Sequence, residues 1–173
     1  MRRLLVIAAF LLASCSSSTT PSPSPSPTES PVTTPSACVL PTDVDSHVYN
    51  PDRLLVLDHV DPCKTVTGTI DFIRHEADGD YHIGLKVDSQ YVNLLNQCNT
   101  TCLGGAEHGD LVVEPVCMNT PTQSDAVGSC VGYKNPLTIP PISTHVEIYG
   151  AYVLDQTHGW TEIHPLVSIK QIP

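Results

Sequence analysis

The sequence predicts an all-β domain, a small five-stranded OB-like barrel with long disulfide-braced loops. Three observations support this fold class. Runs of β-forming residues alternate apolar and polar side chains, turn-forming Gly, Pro, Asn and Asp separate the runs, and no long amphipathic helix pattern is present. The runs lie within residues 37–173, which form one domain by size. A five-stranded antiparallel sandwich is the alternative, because it requires the same strands.

The first two barrel strands are predicted to form a hairpin, after a β-rich run at 52–60. One face of residues 64–76 consists of Val66, Gly68, Ile70 and Phe72. An Asp-Gly turn follows at 78–79, and Asp-Gly between two alternating runs is the strongest short-range hairpin signal. Residues 80–88 return with the same alternation, which places His82 on the face opposite its apolar neighbours.

Three further strands complete the predicted barrel. The runs that predict them are 109–118, 143–155 and 159–170. Residues 91–97 suit a short helical turn, and the Pro- and Gly-rich residues 119–141 suit a long loop. An OB-like barrel permits such a long connection before its fourth strand, and Gly68 would let the first long strand bend round a barrel corner.

The N-terminus predicts a lipoprotein signal peptide over residues 1–14. Two arginines precede an apolar run that is too short to span a bilayer, and Ala13-Ser14 stand directly before Cys15 as in a lipobox. After cleavage Cys15 would carry acyl chains such as palmitate, and several chains give stable anchoring. This places the protein on the extracytoplasmic side of a bacterial cell membrane. An ordinary signal peptide with an incidental cysteine is the alternative.

The lipidated cysteine and a Pro/Ser/Thr-rich linker occupy residues 15–36. This stretch lacks a periodic apolar pattern, and its alternating prolines favour an extended spacer. Without the signal peptide, 6 basic residues remain against 18 acidic ones, a net charge near −12. Such an acidic domain repels phosphate backbones and its basic residues are scattered, so no nucleic-acid partner is expected. The expected partners are the membrane, through the lipid anchor, and an envelope protein or a small ligand.

The remaining cysteines predict disulfide bonds, as is usual outside the cell. They are Cys38, Cys63, Cys98, Cys102, Cys117 and Cys130. Six cysteines allow 15 pairings, of which nearest-neighbour closure is the one we favour. Its bonds would be Cys38–Cys63, Cys98–Cys102 and Cys117–Cys130. A zinc site is the rival interpretation, although the sequence contains no C-x-x-C pair.

Three stretches, residues 68–88, 111–117 and 145–166, resemble a group of bacterial secreted and lipoprotein domains. The shared feature of that group is an OB-like barrel that ends in a D-x-x-H-G-W-x-E-I-H-P segment, and the resemblance covers about residues 53–169. It implies the fold and carries no activity. The matching positions are Asp80, His82, Asp155, His158, Gly159, Trp160, Glu162, His164 and Pro165.

The last strand provides the candidate site. Trp160, Glu162 and His164 share one face of that strand, and His82 would join them if its own strand lies nearby. Two imidazoles and a carboxylate are a competent ligand set for a divalent metal and leave a position open for water. Asp80 or His158 would then carry a proton. The alternative is structural, with His and Glu hydrogen-bonded to each other and Trp160 as a packing residue.

Two functions follow from these patterns. The first is a membrane-anchored extracytoplasmic lipoprotein that acts as a binding or interaction module. The second is a metal-dependent hydrolase that uses the His/Glu site on the last strand. The sequence does not fix a reaction, because it contains no nucleophile elbow, P-loop, H-E-x-x-H motif or dinucleotide fingerprint. A structural accessory protein that docks a partner through an apolar patch is a third interpretation.

Overall fold

The structure, a computed structural model, describes residues 44–173, and the predicted signal peptide, Cys15, linker and Cys38 lie outside them. The described residues form six strands and one short α-helix, α1, joined by 3-10 turns and loops. The strands are β1 Leu54–Val56, β2 Cys63–His75, β3 Tyr81–Val87, β4 Leu111–Val113, β5 His145–Asp155 and β6 Thr161–Gln171. The helix α1 is Gln97–Thr101, and the 3-10 helices are Val44–His47, Pro51–Arg53, Ser89–Leu94, Cys102–Gly104 and Val127–Cys130.

Five of the strands close into a mixed barrel. Going round it, β2 pairs with β3, β3 with β4, β4 with β6, β6 with β5, and β5 returns to β2. All pairs are antiparallel except β4 and β6, which run parallel. The extra strand β1 pairs with the end of β5. The predicted all-β, OB-like barrel is therefore confirmed, and closure distinguishes it from the alternative sandwich.

The barrel interior holds the main apolar core. Its fully buried members are Val66, Ile70, Ile83, Leu85, Leu111, Val113, Val146, Ile148, Ile163 and Leu166. Each comes from a strand whose residues alternate between the interior and the outer face, as the sequence predicts. Ile83, Val113 and Ile163 point inward, so their direct neighbours in the chain point outward. These neighbours include the polar residues His82, Glu114, Glu162 and His164.

The alternation predicted for the first long strand is wrong at one residue. A bulge between Ile70 and Phe72 shifts the register, so Ile73 faces the core and Phe72 lies on the outer face. A bulge adds one residue to a strand and reverses the facing of everything after it. The Phe72 ring then covers Gly84 on β3, where a Cβ would lie 2.2 Å from the ring atom Cε1.

Two disulfide bonds brace the long loops of the barrel, as predicted. Cys98–Cys102 spans α1 and Cys117–Cys130 closes part of the loop after β4. These are two of the three expected pairs, and the third involves Cys38, which lies outside the described residues. Within residues 44–173, no helix is long and apolar enough to cross a membrane.

Candidate functional site

A buried polar network lies on the outer face of the barrel, beneath the loops. Strands β3 and β6 direct His82, Glu162 and His164 to this face, and Glu114 follows directly after β4. Parallel pairing aligns Val112 with Glu162, so the carboxyl end of β4 meets the polar half of β6. All four polar side chains are buried, the most exposed of these residues being Glu114 at 6%.

Glu114 joins the two histidines. Its Oε1 accepts a hydrogen bond from His82 Nδ1 at 3.0 Å, and its Oε2 lies 2.7 Å from His164 Nδ1. His164 Nδ1 is also 3.1 Å from Glu162 Oε1, so this one donor faces two carboxylates. Arg53 Nη2 approaches Glu114 Oε2 at 3.4 Å and brings a permanent positive charge to the same carboxylate.

His82 is held at both nitrogens. Besides Glu114, it contacts Glu107 through Nε2, 2.6 Å from Oε2, and Glu107 comes from the loop before β4. Arg74, opposite His82 on β2, donates to Glu107 Oε1 at 3.1 Å. Because a divalent metal needs a deprotonated imidazole nitrogen with a free lone pair, His82 in this arrangement is a hydrogen-bond donor and not a ready metal ligand.

The D-x-x-H-G-W-x-E-I-H-P segment forms a turn followed by a hydrogen-bonded strand face. Asp155 Oδ1 accepts from the backbone amide of Thr157 at 2.7 Å, and its Oδ2 pairs with His158 Nδ1 at 2.7 Å. Gly159 adopts a φ of 86°, which a side chain would strain. The His158 ring stacks on Trp160 with centroids 4.4 Å apart, and this turn therefore fixes the indole.

Trp160 connects the turn to the network. Its indole Nε1 donates to Glu162 Oε2 at 2.9 Å, and its ring meets the edge of His82 with centroids 5.7 Å apart. The residue is only 3% exposed, so the predicted packing role agrees with its position. A buried indole N–H normally finds such an acceptor, and here the acceptor is the carboxylate beside His164.

The network keeps both histidines protonated near neutral pH. Burial opposes a charged imidazole, but Glu107 and Glu114 raise the pKa of His82 to about 10. Burial also opposes the charge on His164, yet Glu114 and Glu162 raise its pKa to about 10. Burial works against ionisation of Glu114 as well, but His164 and His82 lower its pKa well below the usual range.

The second carboxylate beside His164 behaves differently from Glu114. Burial and the negative charge of Glu114 raise the pKa of Glu162. Glu162 is therefore protonated more readily than Glu114. Asp80 lies on the other side of His164, and burial raises its pKa to about 7. The two imidazolium charges are thus balanced chiefly by Glu107 and Glu114.

Asp80 and His164 present an unsatisfied contact within this network. Asp80 Oδ1 accepts from the amide of Cys117 at 2.7 Å, but its Oδ2 and His164 Nε2 lack hydrogen-bond partners and lie 3.9 Å apart. With Glu114, these residues offer three ligand atoms within 4.8 Å of one another. One imidazole and two carboxylates suit a first-row divalent metal.

A cleft of about 450 Å³ opens above the network. His82, Glu107 and Glu114 form part of its lining, Trp160 and His158 form another part, and two arginines border it. The arginines are Arg53 and Arg74. A hollow of about 500 Å³ beside the Cys117–Cys130 bond contains none of the network residues. The smaller cleft is the candidate ligand site, because its size suits a small molecule and ionised groups converge there.

The structure brings together most of the residues that the sequence singled out. His82, Glu162, His164 and Asp80 lie in one network, whereas His158 stands apart on Asp155 at the cleft wall. Sequence reasoning missed the two acids that hold His82. Glu107 had a signal in the polar stretch 104–110, and Glu114 had none beyond its place at the end of a strand.

Comparison with known proteins identifies no relative of this chain. No protein-family model matches the chain, and no curated protein or solved structure is detectably similar to it. Its function therefore has to be inferred from the geometry of the network and the cleft.

Proposed function

We propose that the protein is a lipoprotein of the bacterial cell membrane, anchored through Cys15, whose barrel serves as an extracytoplasmic binding module. The lipobox, the Pro/Ser/Thr-rich linker and the resemblance to secreted and lipoprotein domains support the anchoring and the location. The cleft supports the binding role. Its ligand would be a small polar molecule that offers both hydrogen-bond donors and acceptors.

The single observation that carries the binding role is the charge pairing at the floor of the cleft, where His82 pairs with Glu107 and Glu114. Both nitrogens of His82 are occupied by Glu107 and Glu114, so these groups are fixed in place before any ligand arrives. Fixed, partly desolvated donors and acceptors favour tight and selective binding because little ordering is required. The same engagement disfavours acid–base catalysis by His82, whose pKa of about 10 keeps its protons in place at neutral pH.

Trp160 gives a direct test of the binding role, because it is the only tryptophan and it lines the cleft. The protein would be purified in detergent and titrated with N-acetylglucosamine, glycine and inorganic phosphate as probes of three polar chemistries. We expect one probe to change the Trp160 emission saturably, and Arg74→Gln to weaken that response. Lys134→Gln is the matched control, since Lys134 lies outside this cleft. Unchanged emission with all three probes would contradict the proposal.

The anchoring is tested separately by Cys15→Ala. We expect the variant to carry no acyl chains, since no other cysteine follows a lipobox in this sequence. The membrane fraction should then contain no lipidated form of the protein. Metabolic labelling with a palmitate analogue and fractionation would measure both. Labelling of Cys15→Ala at the wild-type level would refute the anchor.

A metal-dependent hydrolase is the second candidate, and one observation favours it. The unsatisfied Asp80 Oδ2 and His164 Nε2 face each other beside Glu114. A metal held by Asp80, Glu114 and His164 would take the place of one imidazole proton of His164 and would supply an activated water. This set contains two of the candidate residues singled out from the sequence, Asp80 and His164, and Glu114 is the member that was not expected.

Metal content and titration discriminate the two candidates. Wild type and His164→Asn would be compared by elemental analysis after exposure to Zn²⁺ or Mn²⁺, with His145→Asn as the exposed-histidine control. The hydrolase candidate requires that wild type hold one more metal per chain than His164→Asn, together with metal-dependent hydrolysis of a nitrophenyl ester or phosphate. Equal metal content in wild type and His164→Asn would eliminate it and leave the binding role intact.

A further inference from the structure

A second group of potential ligands lies on the barrel surface, outside the network. It contains Asp71, from the bulge of β2, and His108 and Asp110, from the loop that precedes β4. Each offers one ligand atom, and the three atoms lie within 4.8 Å of one another. His108 Nδ1 is already 2.9 Å from Asp71 Oδ2. Neither the binding cleft nor the Asp80 set uses these residues.

Asp110 is the member that points to a missing partner. The residue is only 4% exposed, and its Oδ2 lacks a hydrogen-bond partner within residues 44–173. A buried carboxylate oxygen without a partner costs about 1–3 kcal/mol or more, and native proteins rarely tolerate one without a reason. A ligand atom of Asp110 lies within 4.8 Å of one on the Asp71 carboxylate and one on the His108 imidazole, and a cation satisfies such an environment.

The charges around Asp110 support the same conclusion. Asp71 and Asp110 are both carboxylates, and their ligand atoms lie within 4.8 Å of each other. Two carboxylates this close repel one another when both are ionised. A divalent cation bound between them would relieve that repulsion.

The group is also accessible and held in place. The side chains of Asp71 and His108 are 44% and 57% exposed, so a cation can reach them from solvent. The His108 ring rests edge-on against Phe72 with centroids 5.2 Å apart. The amide of Asp110 donates to the Glu107 carbonyl at 2.8 Å, which ties this loop to the acid that holds His82.

We propose that Asp71, His108 and Asp110 form a surface binding site for a first-row divalent cation such as Zn²⁺. One imidazole nitrogen and two carboxylate oxygens suit Zn²⁺ better than Ca²⁺, which takes six to eight oxygens. Ligand bonds near 2.1 Å place tetrahedral ligand atoms about 3.4 Å apart. The His108–Asp71 contact of 2.9 Å would therefore open only slightly. Three protein ligands leave a fourth position for water or for an oxygen atom of a partner.

Calorimetric titration of Zn²⁺ into the untagged, EDTA-stripped protein in detergent tests this site. Wild type is expected to bind one Zn²⁺ that both His108→Ala and Asp71→Asn weaken at least about tenfold, since outer-shell changes alone cost 10–100-fold. Both variants change exposed side chains, so folding should be preserved and is checked by circular dichroism. Ca²⁺ titrated under the same conditions should give no comparable heat.

Two control variants separate this site from other histidines. His145→Ala removes an exposed imidazole that faces one carboxylate, Asp88, at 3.1 Å, and it should leave Zn²⁺ binding unchanged. His164→Asn removes the buried candidate ligand, and it should also leave this surface site unchanged. A wild-type dissociation constant above about 1 mM, or equal binding by wild type, His108→Ala and Asp71→Asn, would overturn the proposal.

Discussion

Glu114 accepts hydrogen bonds from two buried histidines through its two carboxylate oxygens. Replacing it by Gln keeps the shape but removes the charge that balances His82 and His164. Loss of one partner from a buried ion pair typically costs about 3–5 kcal/mol. We expect Glu114→Gln to lower the free energy of unfolding by that amount in urea denaturation at pH 7.

The matched control for this prediction is Glu147→Gln. Glu147 also forms an ion pair, 2.7 Å from Lys170, but the Lys170 side chain is 66% exposed. Exposed pairs contribute little, so the control should change stability by no more than about 0.5 kcal/mol. Similar losses in the two variants would show that burial of the Glu114 carboxylate is not what makes it important.

The contribution of the Trp160 indole N–H can be tested separately from that of its aromatic ring. Trp160→Phe keeps an aromatic ring beside His158 but removes the indole N–H that Glu162 accepts at 2.9 Å. An unsatisfied buried carboxylate oxygen should reduce stability by about 1–3 kcal/mol, measured by circular dichroism in urea. If Trp160→Phe matches wild type, the indole contributes through packing and its hydrogen bond has no net effect.

Among the elements, the β2–β3 pair shows how a small residue accommodates the bulge. The Phe72 ring lies over Gly84, and an alanine there would place its Cβ 2.2 Å from the ring. We expect Gly84→Ala to destabilise the protein by about 1–3 kcal/mol through overpacking. Gly128→Ala is the control, since nothing lies within 4 Å of a Cβ at that position.

A double-mutant cycle checks the cause of this effect. On a Phe72→Ala background, Gly84→Ala should cost much less, because the colliding ring is gone. Urea denaturation of the four proteins gives the interaction energy directly. A cost of Gly84→Ala that is the same with and without the ring would place the strain in the backbone of β3.

The strands were predictable from the sequence because each exposes one face to the barrel interior and alternates accordingly. The bulge at Asp71 was not, since inserting one residue leaves the alternation on both sides intact and only its phase changes. For the same reason Phe72 was assigned to the wrong face. The parallel contact of β4 with β6 is also a tertiary feature, and no local pattern encodes it.

The network was predictable only in part. Alternation placed Glu162 and His164 together, and His82 on a matching face, from local sequence alone. Glu107 and Glu114 became partners of His82 only after a loop folded over the barrel and β4 paired with β6. Sequence reasoning had no means of measuring these distances, which depend on contacts between residues 25 and 32 positions apart.

For the molecule as a whole, the buried histidines make stability depend on pH. Both His82 and His164 have folded-state pKa values near 10, above the ordinary value of 6.5. A raised pKa means that each contributes stability that is fully present below about pH 6.5 and lost as pH rises through 10. Asp80, raised to about 7 by burial, acts in the same direction and loses its contribution as pH rises from 3.8 through 7.

We therefore expect the free energy of unfolding to fall by at least about 1 kcal/mol per pH unit between pH 7 and pH 10. The unfolded histidines release their protons below this range, whereas the folded ones retain them, so raising the pH favours unfolding. Urea titrations in the presence of EDTA measure the slope without competition from metal. His82→Gln, which removes one of the two buried imidazoles, should reduce the slope. A wild-type stability that is constant or increases from pH 7 to pH 10 would mean that the two imidazoles are neutral in the folded protein, and the charge pairing proposed for the cleft floor would have to be abandoned.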